Sequence, residues 1–233
     1  MSRALRKLKA DLHTHSADDP SDPIAYSSEM LIDAAARLRF DVLALACHCK
    51  CVHNARLEEY ARRRGVVLVP AAELLVDHKH VVVLNPDDEQ AAATTFDQLR
   101  ALGRRDAAIM APHPFYPEKG CLGKKLLENI DVFDAIEYCS MYYYGLNPNG
   151  RAVRAARRFG LPLVGTSDAH TMPYRDSTFS WLEADEVSVA GVIGAIRAGR
   201  VSVETRPRSL GETIVTGFFL AREKLRVTLG LRD

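Results

Sequence analysis

Short apolar runs alternating with amphipathic stretches, repeated at least seven times, constrain this chain more than any other feature. The first unit runs from Leu8-Lys9-Ala10-Asp11-Leu12 through a polar, proline-broken loop, Ala17 to Tyr26, into a helix. Ser27 or Ser28 can cap that helix, and Met30, Leu31, Ala34, Ala35 and Leu38 form its apolar stripe. Asp41 to Ala46 reads as a buried strand, followed by a helix capped by Asn54 and stopped by Gly65, then the strand Val66 to Val69. Further strands are expected at Val81 to Leu84, Ala107 to Ala111, Phe133 to Tyr138 and Leu161 to Gly165. Helices are expected around Phe96 to Leu102, Lys124 to Ile130 and Gly150 to Phe159, and on the stripe Val189, Val192, Ile193 and Ile196.

Strands separated by helices of 10–15 residues imply βαβ crossovers and a mainly parallel sheet. Seven such pairs in one domain favour a distorted (β/α)7 barrel over an open sheet. The dinucleotide-binding form of the open sheet is also disfavoured because no G-x-G-x-x-G follows the first strand. No linker divides the 233 residues, so one domain is expected, with a core over about 8–206 and a helical extension over 207–233 (Gly211 to Leu229) that packs on the barrel or on another subunit.

Lys+Arg number 31 and Asp+Glu 30, so no diffuse surface field draws the chain to nucleic acid or an anionic membrane. Met1 to Lys9 is basic without an apolar core behind it, and nowhere do about 20 apolar residues run together, so no membrane span is expected. Five cysteines, an odd number, suggest reduced thiols and a cytoplasmic setting. The eight histidines are what composition leaves unexplained.

Catalytic groups of parallel α/β domains collect where strands end, and here the histidines and acids sit there. The first strand ends in Asp11-Leu12-His13-Thr14-His15, where residues two apart project to one side and can share an ion. The second ends in Ala46-Cys47-His48-Cys49, the third in Ala72-Glu73, the fifth in Ala111-Pro112-His113-Pro114, the sixth in Glu137-Tyr138-Cys139 and the seventh in Thr166-Ser167-Asp168-Ala169-His170. His53 and His78 read as solvated, whereas His80 opens the fourth strand and is a weaker candidate for the same mouth. Six or more imidazole and carboxylate ligands exceed the need of one catalytic ion, which points to two or three divalent ions, Zn²⁺, Mn²⁺ or Fe²⁺.

Together Asp11-Leu12-His13-Thr14-His15-Ser16, His48, Glu73, Ala111-Pro112-His113-Pro114 and Gly165-Thr166-Ser167-Asp168-Ala169-His170 resemble the motifs of the polymerase-and-histidinol-phosphatase (PHP) superfamily. The resemblance runs in order over about residues 8–206 and implies a seven-stranded barrel whose strand ends hold metals and hydrolyse phosphoesters. It implies that His13 and His15 bind a first ion with Asp168 and Glu73, that Glu73 bridges to a second held by His113, and that His48 and His170 serve a third. The chain departs from the family pattern at Ala46-Cys47-His48, where relatives usually carry Thr-Asp-His. A Cys47 thiolate could replace that carboxylate, or Cys47, Cys49 and Cys51 could be small thiols beside the site, sharing a face if extended. Asp18, Asp19 and Asp22 are open candidates for a further acid.

The expected reaction is hydrolysis of a small phosphorylated substrate, a phosphomonoester or small phosphodiester, by metal-activated hydroxide. Asp168, or a histidine such as His170 or His48, would move the proton, Arg175 would clamp phosphate, and Tyr142, Tyr143 and Tyr144 would wall the pocket. The rivals are an amidohydrolase-like metal hydrolase and a catalytically degenerate metal-binding regulatory module. Long nucleic acid is the least favoured partner, since no basic stripe or stacking platform is evident. A homo-oligomer remains open.

Overall fold

The computed structural model describes residues 4–209 and 211–212. In chain order the elements are β1 (Arg6–Thr14), α1 (Ser28–Arg37), β2 (Val42–Leu45), α2 (Ala55–Arg62), β3 (Val67–Val76), β4 (Lys79–Leu84), α3 (Asp88–Ala91) and α4 (Phe96–Leu102). They continue with β5 (Ala108–Ala111), α5 (Lys124–Glu128), a 3₁₀ turn (Ile130–Val132), β6 (Ala135–Cys139), α6 (Asn149–Phe159), β7 (Leu163–Thr166), β8 (Thr178–Ala184), α7 (Val189–Arg197) and β9 (Val201–Thr205). One sheet runs in the order β7-β6-β5-β4-β3-β2-β1-β8-β9 and curls into a nearly closed barrel, the expected class.

The helix boundaries follow their local chemistry. Ser27 caps α1 by accepting the Met30 N–H, and Asn54 caps α2 by accepting the Leu57 N–H. The helix foreseen at Gly211 to Leu229 lies outside the described residues apart from Gly211 and Glu212.

The sheet differs from a regular seven-unit barrel in two respects. First, β3 continues past Glu73 to Val76 and turns straight back into β4, antiparallel, through Asp77 (φ 45°) and His78 (φ 62°). Two successive positive φ angles are what a tight two-residue hairpin requires. Glu73 therefore stands within a strand, not at its end. Second, β8 and β9 flank α7 and were not foreseen; β8 pairs antiparallel with β1, and β9 with β8. Their serines, threonines and glutamates, as in Thr178-Phe179-Ser180-Trp181, weaken the apolar signal that reveals buried strands.

Two features place the site. The register of β1 against β2 shifts between Asp11 and Thr14, where three steps on β1 face two on β2. Leu8, Ala10 and Leu12 point into the barrel, so without this bulge His13 would point outward with Lys9 and Asp11. The bulge turns His13 inward. Closure then occurs at the same end: Thr14 bridges to Ala169, the Asp168 N–H donates to the His13 carbonyl (3.0 Å), and the His15 N–H donates to the Ala169 carbonyl (3.2 Å). Gly165 on β7 permits the neighbouring approach of β8 and β9, since a Cβ there would lie 2.6 Å from the Phe179 carbonyl oxygen and 2.7 Å from Val203 Cγ1.

At the opposite end, Val192, Ile193, Ala195 and Ile196 of α7 pack against the strand beginnings Val42, Ala108, Ala135 and Val164. Burying each large aliphatic chain there contributes about 1.5–3 kcal/mol.

Candidate metal centre

His13 and His15 are fully buried, and each has one ring nitrogen committed to a carboxylate. His13 Nδ1 lies 2.8 Å from Glu137 Oε1, and His15 Nδ1 lies 2.8 Å from Asp19 Oδ2. A carboxylate accepts only, so each ring donates from Nδ1, and as metal ligands the two rings would turn lone pairs at Nε2 the other way. Those Nε2 atoms are 3.1 Å apart, close enough to share a proton or to converge on a cation. Glu73 Oε2 lies 3.4 Å from His13 Nε2 and 3.6 Å from His15 Nε2; Asp168 Oδ1 lies at 3.6 and 3.3 Å. Four acceptors converging on one buried point fit a divalent cation.

The remaining ligand candidates gather around Glu73. His48 has Nδ1 3.0 Å from Asp19 Oδ2 and Nε2 3.1 Å from Glu73 Oε2, and His113 places Nε2 3.2 Å from Glu73 Oε1. His113 is held by its own backbone N–H, which donates to Glu137, and has Cys121 Sγ 3.2 Å from Nδ1. His170 stacks on His15 with ring centroids 4.2 Å apart; its Nδ1 donates to the Asp168 carbonyl and its Nε2 lies 3.1 Å from Asp22 Oδ2. Three overlapping sets result: His13/His15/Asp168, His13/Glu73/His113 and His15/His48/Glu73. In each, the ligand atoms lie within 4.8 Å of one another. All seven sequence-derived ligand candidates are thus brought to one place.

The structure also decides among candidates the sequence left open. Asp19 is buried and joins His15 to His48, Asp22 reaches His170, and Asp18 instead accepts from Ser28 Oγ. His80 does face the site, with Nδ1 2.9 Å from Glu73 Oε1 but out of line for a hydrogen bond. Glu137 was named only as a strand-end acid, yet one carboxylate bonds His13, the His113 backbone and Thr166 Oγ1. Its signal was an ionisable residue within the otherwise apolar Ala135-Ile136 strand.

The cysteines do not share an extended face, because Cys49 is left-handed (φ 49°) and exposed while Cys47 is buried. Cys47 lies within the fourth ligand set, His15/Asp19/Cys47. Burial pushes its thiol up to about 11, so it is protonated at neutral pH in the ion-free protein. His53 and His78 stand away from the cluster; His53 is half-buried near Glu58 and His78 is exposed on the hairpin turn.

Burial and charge oppose each other here. Burial disfavours charge on His13 and His113, but surrounding groups, Glu137, Asp168 and Glu73 among them, outweigh it and hold both well above the ordinary imidazole value. The same contest raises His170 to about 9, with Asp168 and Asp22 prevailing over burial. For Glu73 and Asp168, the penalty of burial is overcome by His13 and neighbouring imidazoles, and both carboxyls lie well below their usual range. The polypeptide has assembled a buried anionic cluster that takes up positive charge.

The cluster opens onto a cavity of about 520 Å³ whose lining includes Asp168, His170, Arg175, Arg208 and Glu118. Arg175 thus lines the cavity that Asp168 and His170 also line. The tyrosines do not wall this cavity: Tyr142 is buried with its hydroxyl 2.8 Å from Thr205 Oγ1, and Tyr144 is 87% exposed. Ser140 and Met141 line it instead.

The barrel with polar strand ends defines the class of fold first. Solved structures with it include a two-domain protein from Bacteroides vulgatus containing a predicted PHP-like metal-dependent phosphoesterase (TM-score 0.69, 20% identity, 87% of this chain and 66% of that one). They also include the lesion-specific endonuclease EndoQ of Pyrococcus furiosus (TM-score 0.60, 16% identity, 85% and 58%) and an amidohydrolase from Chromobacterium violaceum (TM-score 0.54, 17% identity, 70% and 88%). The chain thus spans about two thirds of the Bacteroides protein and a little over half of EndoQ. No curated protein matches the sequence. Residues 147–201 match the model of the PHP-associated family.

Proposed function

We propose that this chain is a metal-dependent phosphoesterase that hydrolyses a small phosphomonoester or phosphodiester in the cavity beside Asp168 and His170. The carrying observation is the pair of facing Nε2 atoms, 3.1 Å apart, whose outer nitrogens are both committed to carboxylates. His13, His15, Glu73 and Asp168 would hold one ion, Glu73 and His113 a second, and His48 and His170 a third; Zn²⁺, Mn²⁺ and Fe²⁺ all suit this donor set. Bound ions supply a water acidified toward neutrality and positive charge for the phosphate oxygens.

The protein's own groups do the rest. Glu137 and Asp19 orient the two imidazoles, and Arg175, which lines the same cavity, would bear on the substrate. His170 Nδ1 is tied to the Asp168 carbonyl, so only Nε2 is available. That nitrogen can be a ligand or can give a proton to the departing alkoxide, but one lone pair cannot do both. Asp168, which lines the cavity, is the alternative carrier.

The fold is shared by proteins described as a phosphoesterase, a nuclease and an amidohydrolase, so it does not select the bond. A panel of chromogenic phosphomonoesters, phosphodiesters and anilides with added Mn²⁺ or Zn²⁺ tests the proposal. Turnover of phosphate esters, lost in His13→Ala, is expected. Anilide turnover, or none at all in a fully metallated sample, would overturn it in favour of the amidohydrolase or the regulatory module.

A further inference from the structure

Two arginine-rich helices of the molecule treat their charges differently. On α2 and just past its end, Arg56, Arg62, Arg63 and Arg64 all pair with acids, respectively Glu29, Glu59, Glu59 and Asp33. On α6, Arg151, Arg154, Arg157 and Arg158 are all exposed, and among the described residues none has a carboxylate in ion-pair range. The stretch 138–167 holds no Asp, Glu, Lys or His, so these four guanidinium groups are its only charges. Residues 213–233 carry Arg222, Lys224, Arg226 and Arg232 against Glu223 and Asp233, and so bring no net acidic counterweight.

Helix stability does not account for the pattern. Arg151 lies in the first turn, where the helix dipole disfavours a cation, and Arg154 has like charges three residues before it and three and four after it. Only Arg157 and Arg158, in the last turn, gain from the dipole. Ala152, Ala155 and Ala156 face the barrel, which leaves the arginines on the outer surface. In the sequence this stripe is hidden by the balanced charge of the whole chain, and only the pairing found on α2 sets it apart.

The stripe starts at the rim of the metal centre. Arg151 lies over the Phe115 ring, 4.4 Å from its centroid, and Phe115 closely follows His113. Asn149 fixes the start of the helix to the end of β6, accepting the Cys139 N–H (3.0 Å) and donating to the Cys139 carbonyl (2.9 Å). Arg158 lies about 10 Å further along the axis. Glu118 and Lys119 on the Phe115 loop cancel formally, and Glu118 pairs with none of the four arginines. The loop into α6 also makes a tight turn, in which Tyr143 and Leu146 exchange backbone hydrogen bonds of 3.0 and 3.2 Å around Tyr144 and Gly145 (φ 81°). That turn holds Tyr144 out with 87% of its surface exposed.

We propose that α6 and Tyr144 form a docking face for single-stranded nucleic acid, the guanidinium groups following its phosphates and the tyrosine ring stacking on a base. Guanidinium groups take phosphate oxygens in paired hydrogen bonds, and unpaired bases offer the flat faces that an exposed aromatic ring can use. An acidic peptide would leave Tyr144 without such a partner. A helix lying on a membrane turns its apolar side to the lipid, whereas that side of α6 is buried against the barrel. The face lies outside the cavity and involves no ion, so it stands independently of the phosphoesterase reading.

A fluorescently labelled single strand of about 12 nucleotides, titrated into the chelator-treated full-length protein and followed by anisotropy, tests the face. At about 50 mM salt, micromolar binding is expected, with log K falling against log salt at a slope of about −3, since each neutralised phosphate adds about −0.7. Arg154→Gln combined with Arg158→Gln should weaken binding about ten-fold or more and halve that slope. Arg62→Gln combined with Arg63→Gln, on α2, should change neither by more than about two-fold. Tyr144→Ala should weaken binding about ten-fold at an unchanged slope. All these side chains are exposed, and matching thermal melts show that the variants fold.

Absence of binding at low salt, or equal losses from the α2 and α6 variants, would overturn the docking face. Wild-type affinity in Tyr144→Ala would overturn its preference for a single strand. Tighter binding to polyglutamate or to phosphatidylserine vesicles than to the oligonucleotide would overturn nucleic acid as the occupant.

Discussion

The two ends of the barrel solve opposite problems. At the strand beginnings, α7 buries Val192, Ile193 and Ile196 against other aliphatic groups, and each contact is favourable by itself. At the strand ends, His13, His15, Glu73, Glu137 and Asp168 are as deeply buried, yet each would be costly without its neighbours. One end secures the fold, while the other stores unsatisfied affinity for a cation. The difference lies in which side chains the same strands present at either end.

Substitutions at each end should separate stability from function. Glu73→Ala removes the carboxylate common to two of the ligand sets and should lower turnover by about 1000-fold with loss of bound metal. Ile193→Ala should cost about 2–4 kcal/mol of stability with kcat within two-fold below the melting temperature. Thermal melts, metal analysis and kinetics on both variants check this; parallel losses of stability and turnover in both would dissolve the contrast.

The next largest effect is on pH. His13, His113 and His170 have raised values in the folded, ion-free protein, so their contribution to stability is complete below the unfolded imidazole value near 6.5. It fades as pH rises, through about 9 for His170. The depressed Glu73 and Asp168 act in the reverse sense: their contribution is present above the ordinary carboxylate range and fades as pH falls. Chelator-treated protein should therefore melt progressively earlier between pH 6.5 and 9. Metal-loaded protein should not, because ions bind deprotonated ligands more tightly as pH rises. Coincident melting curves for the two forms over that range would contradict this assignment.

The barrel class and the seven ligand candidates were legible in the sequence because each is a local pattern of apolar run and His or acid at short spacing, although Glu73 proved to lie within its strand and not at its end. What was hidden depends on register or on distant chain segments. Glu137 looks like any strand acid until its carboxylate is seen to join β6 to His13, 124 residues away. The β1 bulge exists only relative to β2, and β8 became recognisable only as the partner of β1 and β9 as the partner of β8. The Arg208 side of the cavity likewise required Ser140, 68 residues distant.

Glu137 offers a finer test of the polar end. Glu137→Gln keeps the shape but replaces an acceptor-only carboxylate that orients His13 and His113, and metal affinity should fall about 10- to 100-fold by competition with a chromophoric chelator. Unchanged affinity would remove it from the ion-holding network. The smallest change is expected for Cys47→Ser, whose metal stoichiometry should match the wild type because the buried thiol is raised to about 11. Loss of one equivalent would instead make Cys47 a ligand.

The seam where the barrel closes has a consequence for the order of assembly. The Ser167 N–H donates to Asp11 Oδ1 across 156 residues, and Thr14 meets Ala169 beside it. Contacts this distant in sequence carry a high closure cost and tend to form late. The first histidine pair is synthesised early but gains its last partners only after His170 has emerged. During synthesis, His13 and His15 must therefore wait for most of the barrel before a complete binding pocket can surround an ion.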